Sequence, residues 1–579
     1  MNQEENKEDL NNNFQSEGND SEILTAPTPM DDSKIDSTAT PEKTLKHPGL
    51  TFLSLILGGI LLMLVWWNVN QISLRFPLSI LITSAVYFFN TALQGQKIKV
   101  SAIGLSLITL TLSSILVFRD ETYTVIISVF ATLLTLILLS ADFINGQWLQ
   151  FRLRNALKTA SMAVVSFFTG FPLLGLQAIR GKQDKAEKSR EKKEISGVLK
   201  GILITIPLII LFSVLFSFAD AVFESRLDSL TSWLKNDLLD QAFGRILLTL
   251  FFSWLLAAGV WLGLYFKSKP IDLKRDKPLI KPFLGMTETT IALMSLNLLF
   301  GFFLIIQFQY LFAGEANINF EGFTYAEYAT RGFNELLTVA AIAGIVYYAL
   351  ASFTKRAIPA QRRIFSILGA LLLVQVGVIL VSAFKRVGMY VNAYGLTAYR
   401  FIPQIFLFFL AAILLSLFVM ELSGSFKRLA LVLLAALMLF SGTLALVNVD
   451  QVLAQHNLKR ALEGENLDYA YLAQALSTDA DPYLYQMLNS GTLPEKIQSN
   501  LEKVMVCRAA RFDDRFAHQS DSNWLDKNFS RARAAELHQE NHALNQKWPM
   551  SKVFDGYSLG IIIDGEEIYC RPLGDVQID

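Results

Sequence analysis

The sequence predicts a polytopic α-helical membrane protein of mostly α class. It should have about eleven spanning helices, one further re-entrant or interfacial helix, and a soluble, mainly helical C-terminal domain ending in a β-hairpin. Three observations predict this. Runs of about twenty apolar residues recur along the chain, each long enough to span a bilayer. Charged residues make up only 18% of 579 positions, against about a quarter in soluble domains, and long stretches hold almost none. After Asn448 the composition shifts to that of a soluble domain. Three regions follow: an acidic cytoplasmic tail over 1–46, a transmembrane domain over 47–447 and an extracytoplasmic domain over 448–579.

The first 46 residues hold eleven Asp/Glu against four Lys, six Asn and few large apolar groups. Such a segment buries too little surface to offset its ordering entropy, so disorder is expected there. It is not a signal peptide, which would start positive and turn apolar at once.

The spans are expected at Gly49–Trp67, Leu74–Leu93, Val100–Phe118, Thr122–Ile144, Val198–Ala219, Phe243–Phe266, Thr289–Phe312, Phe333–Phe353, Phe365–Phe384, Phe401–Met420 and Arg428–Val447. A twelfth stretch, 159–179, is apolar enough, but Gly170-Phe171-Pro172 is expected to break it in the middle. Orientation follows from the positive-inside rule. Arg180–Lys200 carries eight Lys/Arg, Lys267–Lys281 six and Lys355–Arg363 four, which places these loops in the cytoplasm. Together with the bases at Lys97, Lys99, Arg152, Arg154 and Lys158, this favours 159–179 as re-entrant or interfacial. The N-terminus is then cytoplasmic and the C-terminus extracytoplasmic. If 159–179 crosses instead, only the N-terminus moves. Asp220–Gln241 is amphipathic, with its apolar positions at helical spacing; it either lies along the outer interface or docks on neighbouring loops.

Beyond Asn448, helical patterns run through Asp450–Leu462, Leu467–Leu476, Pro482–Leu488, Pro494–His518 and Ser530–Trp548. The Asp564-Gly565 pair between two strand-like runs signals a hairpin.

Much familiar chemistry is absent from the sequence. There is no phosphate-binding loop, His-Glu-x-x-His, Cys-x-x-Cys or Gly-x-Ser-x-Gly. No histidine lies in a span. His538 and His542 have metal-ligand spacing, but no acid or cysteine set accompanies them, so a solvated helix face explains them better. No cofactor or metal is expected. The net charge of zero gives no argument for nucleic acid. The bilayer is the partner composition demands, with a protein partner possible through the C-terminal domain.

What remains is a set of ionisable groups at outer membrane depth, where such groups are costly. Tyr328, Arg331 and Glu335 share one helical face at three- and four-residue spacing. Ser382, Arg386, Tyr390 and Tyr394 form a four-residue stripe, with Gly395 as terminator. Glu335 is expected to pair with Arg386, or otherwise with Arg331. Either these residues pin helix ends together, or they line a polar, tyrosine-rich vestibule for a small ligand, ion or peptide. Cys507 and Cys570 are the only cysteines. Their extracytoplasmic placement argues for a disulfide; the alternative is two unrelated buried thiols.

The pattern Tyr-Ala-x-x-x-Arg-Gly-Phe-x-Glu-Leu over Tyr325–Leu336 resembles one in a bacterial family of multi-pass membrane proteins known only as a domain of unknown function. So does Arg-x-x-x-Tyr-x-x-x-Tyr-Gly-Leu-Thr over Arg386–Thr397. "ADAVF" at 219–223, "NVDQVLAQHNLKRA" after the last span, "LDYAYLAQAL" beyond it and the run Trp524–Arg531 are similar as well. The resemblance covers roughly Gly197 to Ala534. It implies a bacterial cell-membrane protein and supplies no activity. Three function classes stay open: a sensor or assembly partner, a transporter or channel, and a membrane-bound transferase. Catalysis is the less expected role, and no catalytic residue stands out.

Overall fold

A computed structural model describes residues 45–67, 69, 71–180, 237–268, 282–312, 333–516, 524–553 and 558–572, with four isolated positions between 205 and 226. The 1–46 tail, the 198–219 span and most of the 220–241 amphipathic stretch therefore lie outside the described residues, apart from Leu45 and Lys46 in the tail.

Eleven described helices are long and apolar enough to cross a membrane. They are α1 (Pro48–Trp66), α2 (Arg75–Leu93), α3 (Val100–Phe118), α4 (Thr122–Asp142), α5 (Leu153–Arg180), α6 (Asp237–Ser268), α7 (Met286–Phe312), α8 (Phe333–Phe353), α9 (Pro359–Tyr394), α10 (Ala398–Leu422) and α11 (Leu429–Val447). Two cores organise them. Leu55, Tyr87, Phe143 and Trp254 belong to the core of α1–α6, whereas Phe333, Tyr347, Phe365 and Leu414 belong to that of α7–α10. With lipid on the outside, small and polar groups hold the helices together. Asn90 donates to Ser54 Oγ at 2.9 Å, and the hydroxyls of Tyr87 and Ser140, and of Ser128 and Ser441, meet at 2.9 and 2.8 Å.

One expectation is not met. The Gly170-Phe171-Pro172 break does not occur, and α5 runs unbroken through all three residues. Gly170 serves packing instead: a Cβ there would lie 2.8 Å from Ala258 Cα and 2.9 Å from Ala257 O on α6. Further along, Gly175 lies against the Phe52 ring near the start of α1. Gly170→Val should therefore push α5 off α6. Overpacking of this kind costs about 1–3 kcal/mol or more. The monodisperse yield in detergent should fall sharply, and an unchanged melting temperature would contradict the contact.

The composition boundary at Asn448 falls on one residue. Asn448 has φ +51° and joins α11 to α12 (Val449–Leu462), capping the new helix by accepting from Gln451 N. Asparagine tolerates this left-handed conformation better than most residues. Beyond it lie α13 (Tyr469–Gln474), α14 (Asp481–Asn489), α15 (Glu495–Phe516), α16 (Phe529–Glu540) and α17 (Ala543–Lys547). The helix expected over Ser530–Trp548 is thus split at Asn541–His542. A three-stranded antiparallel sheet follows: β1 (Ser551–Val553), β2 (Ser558–Ile563) and β3 (Glu566–Pro572), in that order. Asp564 and Gly565 form the β2–β3 turn with φ +51° and +88°, as that dipeptide leads one to expect. The short strand β1 was not anticipated.

The described residues of 449–572 pack onto one end of the bundle. Their core is continuous with Val391, Leu396, Ile402, Phe440 and Leu444 at the ends of α9, α10 and α11.

Candidate functional site

The α9 stripe forms as the four-residue spacing requires. Ser382 and Arg386 are buried, and Tyr390 and Tyr394 follow on the last turns. The helix ends at Gly395, whose φ is +78° and whose missing Cβ leaves room for Asn457 Oδ1. Asn457 clasps this end, accepting from Leu396 N at 2.8 Å and donating to Leu396 O at 2.7 Å.

The partners differ from those expected. Arg386 Nη2 donates to Gln307 Oε1 at 2.8 Å, and Ser382 donates to the same oxygen at 3.0 Å. Glu335, in the first turn of α8, is exposed. No ion pair joins it to Arg386 among the described residues. Instead the two line one cavity of about 380 Å³ between α7, α8 and α9, together with Gln307 and apolar groups such as Phe300, Phe303 and Leu336. An uncharged amide on α7 thus takes the Nη2 bond that a carboxylate on Glu335 was expected to take. Tyr390 and Tyr394 are taken up by Arg400. Its guanidinium stacks 3.9 Å from the Tyr390 centroid and 5.7 Å from that of Tyr394, and it donates to the Tyr394 carbonyl at 3.0 Å. Tyr328 and Arg331 lie outside the described residues.

A second cluster, unmarked in the sequence, fastens the opposite end of α8–α10. Buried Glu421 accepts from Tyr347 Oη at 2.6 Å and Ser366 Oγ at 2.5 Å, with Arg356 at 3.5 Å.

Among the described residues, a further polar cluster lies where 449–572 meets the turns of α1–α4. Arg75, at the start of α2, is fully buried. It pairs with Asp526 through Nε–Oδ1 at 2.7 Å and Nη2–Oδ2 at 3.2 Å, and donates to the Val65 and Trp67 carbonyls. Gln71 N also donates to Asp526, at 3.3 Å. In the α3–α4 turn, Asp120 pairs with Arg531, and the Asp120 and Glu121 amides donate to Asp479 Oδ2 at 2.9 and 3.0 Å. Glu121 caps α4, accepting from Tyr123 N and Thr124 N. Asn528 donates to the Leu116 and Arg119 carbonyls at 2.9 and 3.1 Å.

Behind this junction, Arg508 pairs with Asp481 at 2.6 Å and donates to the Leu472, Leu476 and Ser477 carbonyls. His538 lies 3.2 Å from Asp481 and bonds the Tyr485 hydroxyl at 2.7 Å. It is therefore buried in a network, contrary to the solvated face expected for it. Burial by itself would raise the Asp481 carboxyl, but Arg508 and His538 outweigh it and hold the group below its usual range. Asp450, accepting from Ser477 N at 2.6 Å, is pushed up to about 7, chiefly by burial. Asp479 is raised by burial too.

Between α15 and the α3–α4 turn the junction leaves a polar cleft of about 450 Å³. Arg508, Arg511 and Arg515 of α15 face Asp120, Glu121 and Asp450 across it. Cys570 and Tyr569 close one side. Cys507 on α15 is joined to Cys570 on β3 by a disulfide, with Cα atoms 5.0 Å apart. Among the described residues, no group of three or more His, Cys, Asp or Glu is placed to hold a metal ion.

With this geometry in hand, comparison with known proteins decides the family. The profile described as "Domain of unknown function (DUF4153)" matches residues 102–487, two thirds of the chain. The chain belongs to the DUF4153 family. The DUF4153 match takes in both the Tyr325–Leu336 and Arg386–Thr397 motifs. It begins earlier than the resemblance at Gly197, including α3 and α4, and ends before the Trp524–Arg531 run. Thus the α3–α4 turn, Asp450, Asp479 and Asp481 lie inside the DUF4153 region, whereas Arg508, Asp526 and Arg531 lie beyond it. No curated protein and no solved structure matches the chain.

The sequence reading missed Arg75, Asp479 and Asp526. Arg75 carried a signal: it is a base at the edge of an apolar run.

Proposed function

We propose that this is a membrane-embedded sensor or assembly partner of a bacterial cytoplasmic membrane, with residues 449–572 as its extracytoplasmic recognition module. One observation carries the reading: the buried Arg75–Asp526 pair and the partly buried Arg531–Asp120 pair clamp the module onto the turns of α1–α4 and leave a charged cleft at the seam. A ligand or protein segment entering that cleft touches α15 and the start of α4 together. Binding is thereby coupled to the ends of the spans, as a sensor or assembly scaffold requires.

Two further observations support the orientation. Lys99, Lys267, Arg356, Arg362 and Lys427 lie at the end of the bundle away from the module, which suits a cytoplasmic face. At the module end, Arg75 and Arg119 are engaged in the structure itself, Arg119 by donating to Ala445 O at 2.6 Å. The Cys507–Cys570 bond also suits an oxidising compartment.

Photo-crosslinking in intact cells tests the proposal. A crosslinker at exposed Asp513 or Asp514 should trap one discrete partner. The same group at Ser268, at the far end, should not trap it. Solute flux through proteoliposomes of the purified protein, with no partner trapped at the cleft, would favour a transporter and overturn the reading.

A further inference from the structure

Three arginines line one face of α15 at the cleft, and they are not equivalent. Arg508 is fully committed to Asp481 and three carbonyls. Arg511 is half-buried, and its one hydrogen bond goes to the Gln474 carbonyl at 3.4 Å. Arg515 is exposed one turn further on. Neither Arg511 nor Arg515 has a carboxylate within ion-pair distance among the described residues. The acids facing them are mostly occupied. Asp120 is held by Arg531, Glu121 by the amides of α4, Asp481 by Arg508 and Asp450 by Ser477 N. Asp514 stands exposed on the rim.

The electrostatic balance on α15 is thus incomplete. A guanidinium stripped of half its water needs charge-assisted acceptors. Burial and the neighbouring Arg515 and Arg508 all disfavour the charged form of Arg511, whose proton affinity is lowered accordingly. Two guanidinium forks four residues apart point to the same stretch of helix surface, where planar oxyanions are bound bidentately. The cleft holds about 450 Å³ and is largely polar, so an apolar ligand gains little there.

We propose that the cleft binds an oxyanion, a carboxylate or phosphate group, through Arg511 and Arg515. This rests on reading the cleft as the recognition site, and it names the chemistry recognised. The bound group neutralises the pair and ties α15 to whatever carries the anion.

Calorimetric titration of the full chain in nanodiscs tests this, with succinate and inorganic phosphate as probes at constant ionic strength. At least one probe should bind saturably; the stronger of the two identifies the carboxylate or the phosphate source. Arg511→Gln should weaken that binding by about tenfold or more, as expected for losing a hydrogen-bonded charge. Arg515→Gln changes an exposed side chain and should weaken it without affecting folding. Arg533→Gln, on α16 and already paired with Glu536, should leave binding unchanged. Binding of neither probe, or equal binding by both α15 variants and the parent, overturns the inference. If that happens while the Asp513 crosslink persists, the partner reading stands and only the anion falls.

Discussion

Arg75→Ala should release the C-terminal module from the bundle. The guanidinium is fully enclosed and Asp526 is 2% exposed, so alanine leaves a buried carboxylate facing only the Gln71 amide. Breaking a buried pair by removing one partner costs about 3–5 kcal/mol, a large part of the stability of an ordinary domain. The Val65 and Trp67 carbonyls lose their donor as well. A lower melting temperature in detergent and faster proteolysis after α15 are the expected readouts. Replacing both partners, as in Arg75→Met with Asp526→Leu, should recover much of the loss, because no uncompensated charge remains. If Arg75→Ala melts with the parent, the pair does not hold the junction.

The second large effect is one of pH. Asp450 is 3% exposed, and its carboxyl is pushed from 3.8 to about 7, mainly by burial, with Glu121 and Asp479 adding repulsion. The folded protein therefore holds a proton that the unfolded chain releases near 3.8. Stability falls as pH rises across that window and levels off above about 7. At roughly 1.4 kcal/mol per unit, the total is on the order of 4 kcal/mol. Asp479, also raised, acts in the same direction. Asp481, held low, acts oppositely, and its contribution is lost only at a pH below the ordinary carboxylate range. Asp450→Asn keeps an acceptor for Ser477 N and removes the titration. Unfolding midpoints between pH 5 and 8 should slope downward in the parent and flatten in the variant. Parallel curves would refute the assignment.

Ten of the eleven expected spans were legible because lipid demands one thing of them, an unbroken apolar run. Val198–Ala219 lies outside the described residues, and the eleventh described candidate is α5, expected as a re-entrant or interfacial helix. The α9 stripe and its Gly395 stop were legible because helical spacing and a left-handed glycine are local properties. The Asp564-Gly565 turn was legible for the same reason. What the sequence concealed is non-local. Gly170 and Pro172 look like a breaker until Ala257 and Ala258 are seen to need the glycine's missing Cβ. Charge alone suggested that Glu335 would meet Arg386, yet neutral Gln307 reached the arginine first. Arg75 and Asp526 carry no pattern linking them, since only the folded chain brings them together. The cleft followed the same logic: its arginines sit on an ordinary amphipathic helix, and its opposite wall is supplied by a turn near the other end of the sequence.

The 451 residues between Arg75 and Asp526 also set a timetable. At about 5–20 residues per second, a ribosome needs roughly 20–90 seconds to go from one to the other. Throughout that interval α1–α4 sit in the bilayer with their clamp open and Arg75 without its carboxylate. Completion waits on a segment made 451 residues after Arg75. A chain that stops before Asp526 therefore holds all the described helices from α1 to α15 and still lacks the carboxylate that closes the clamp.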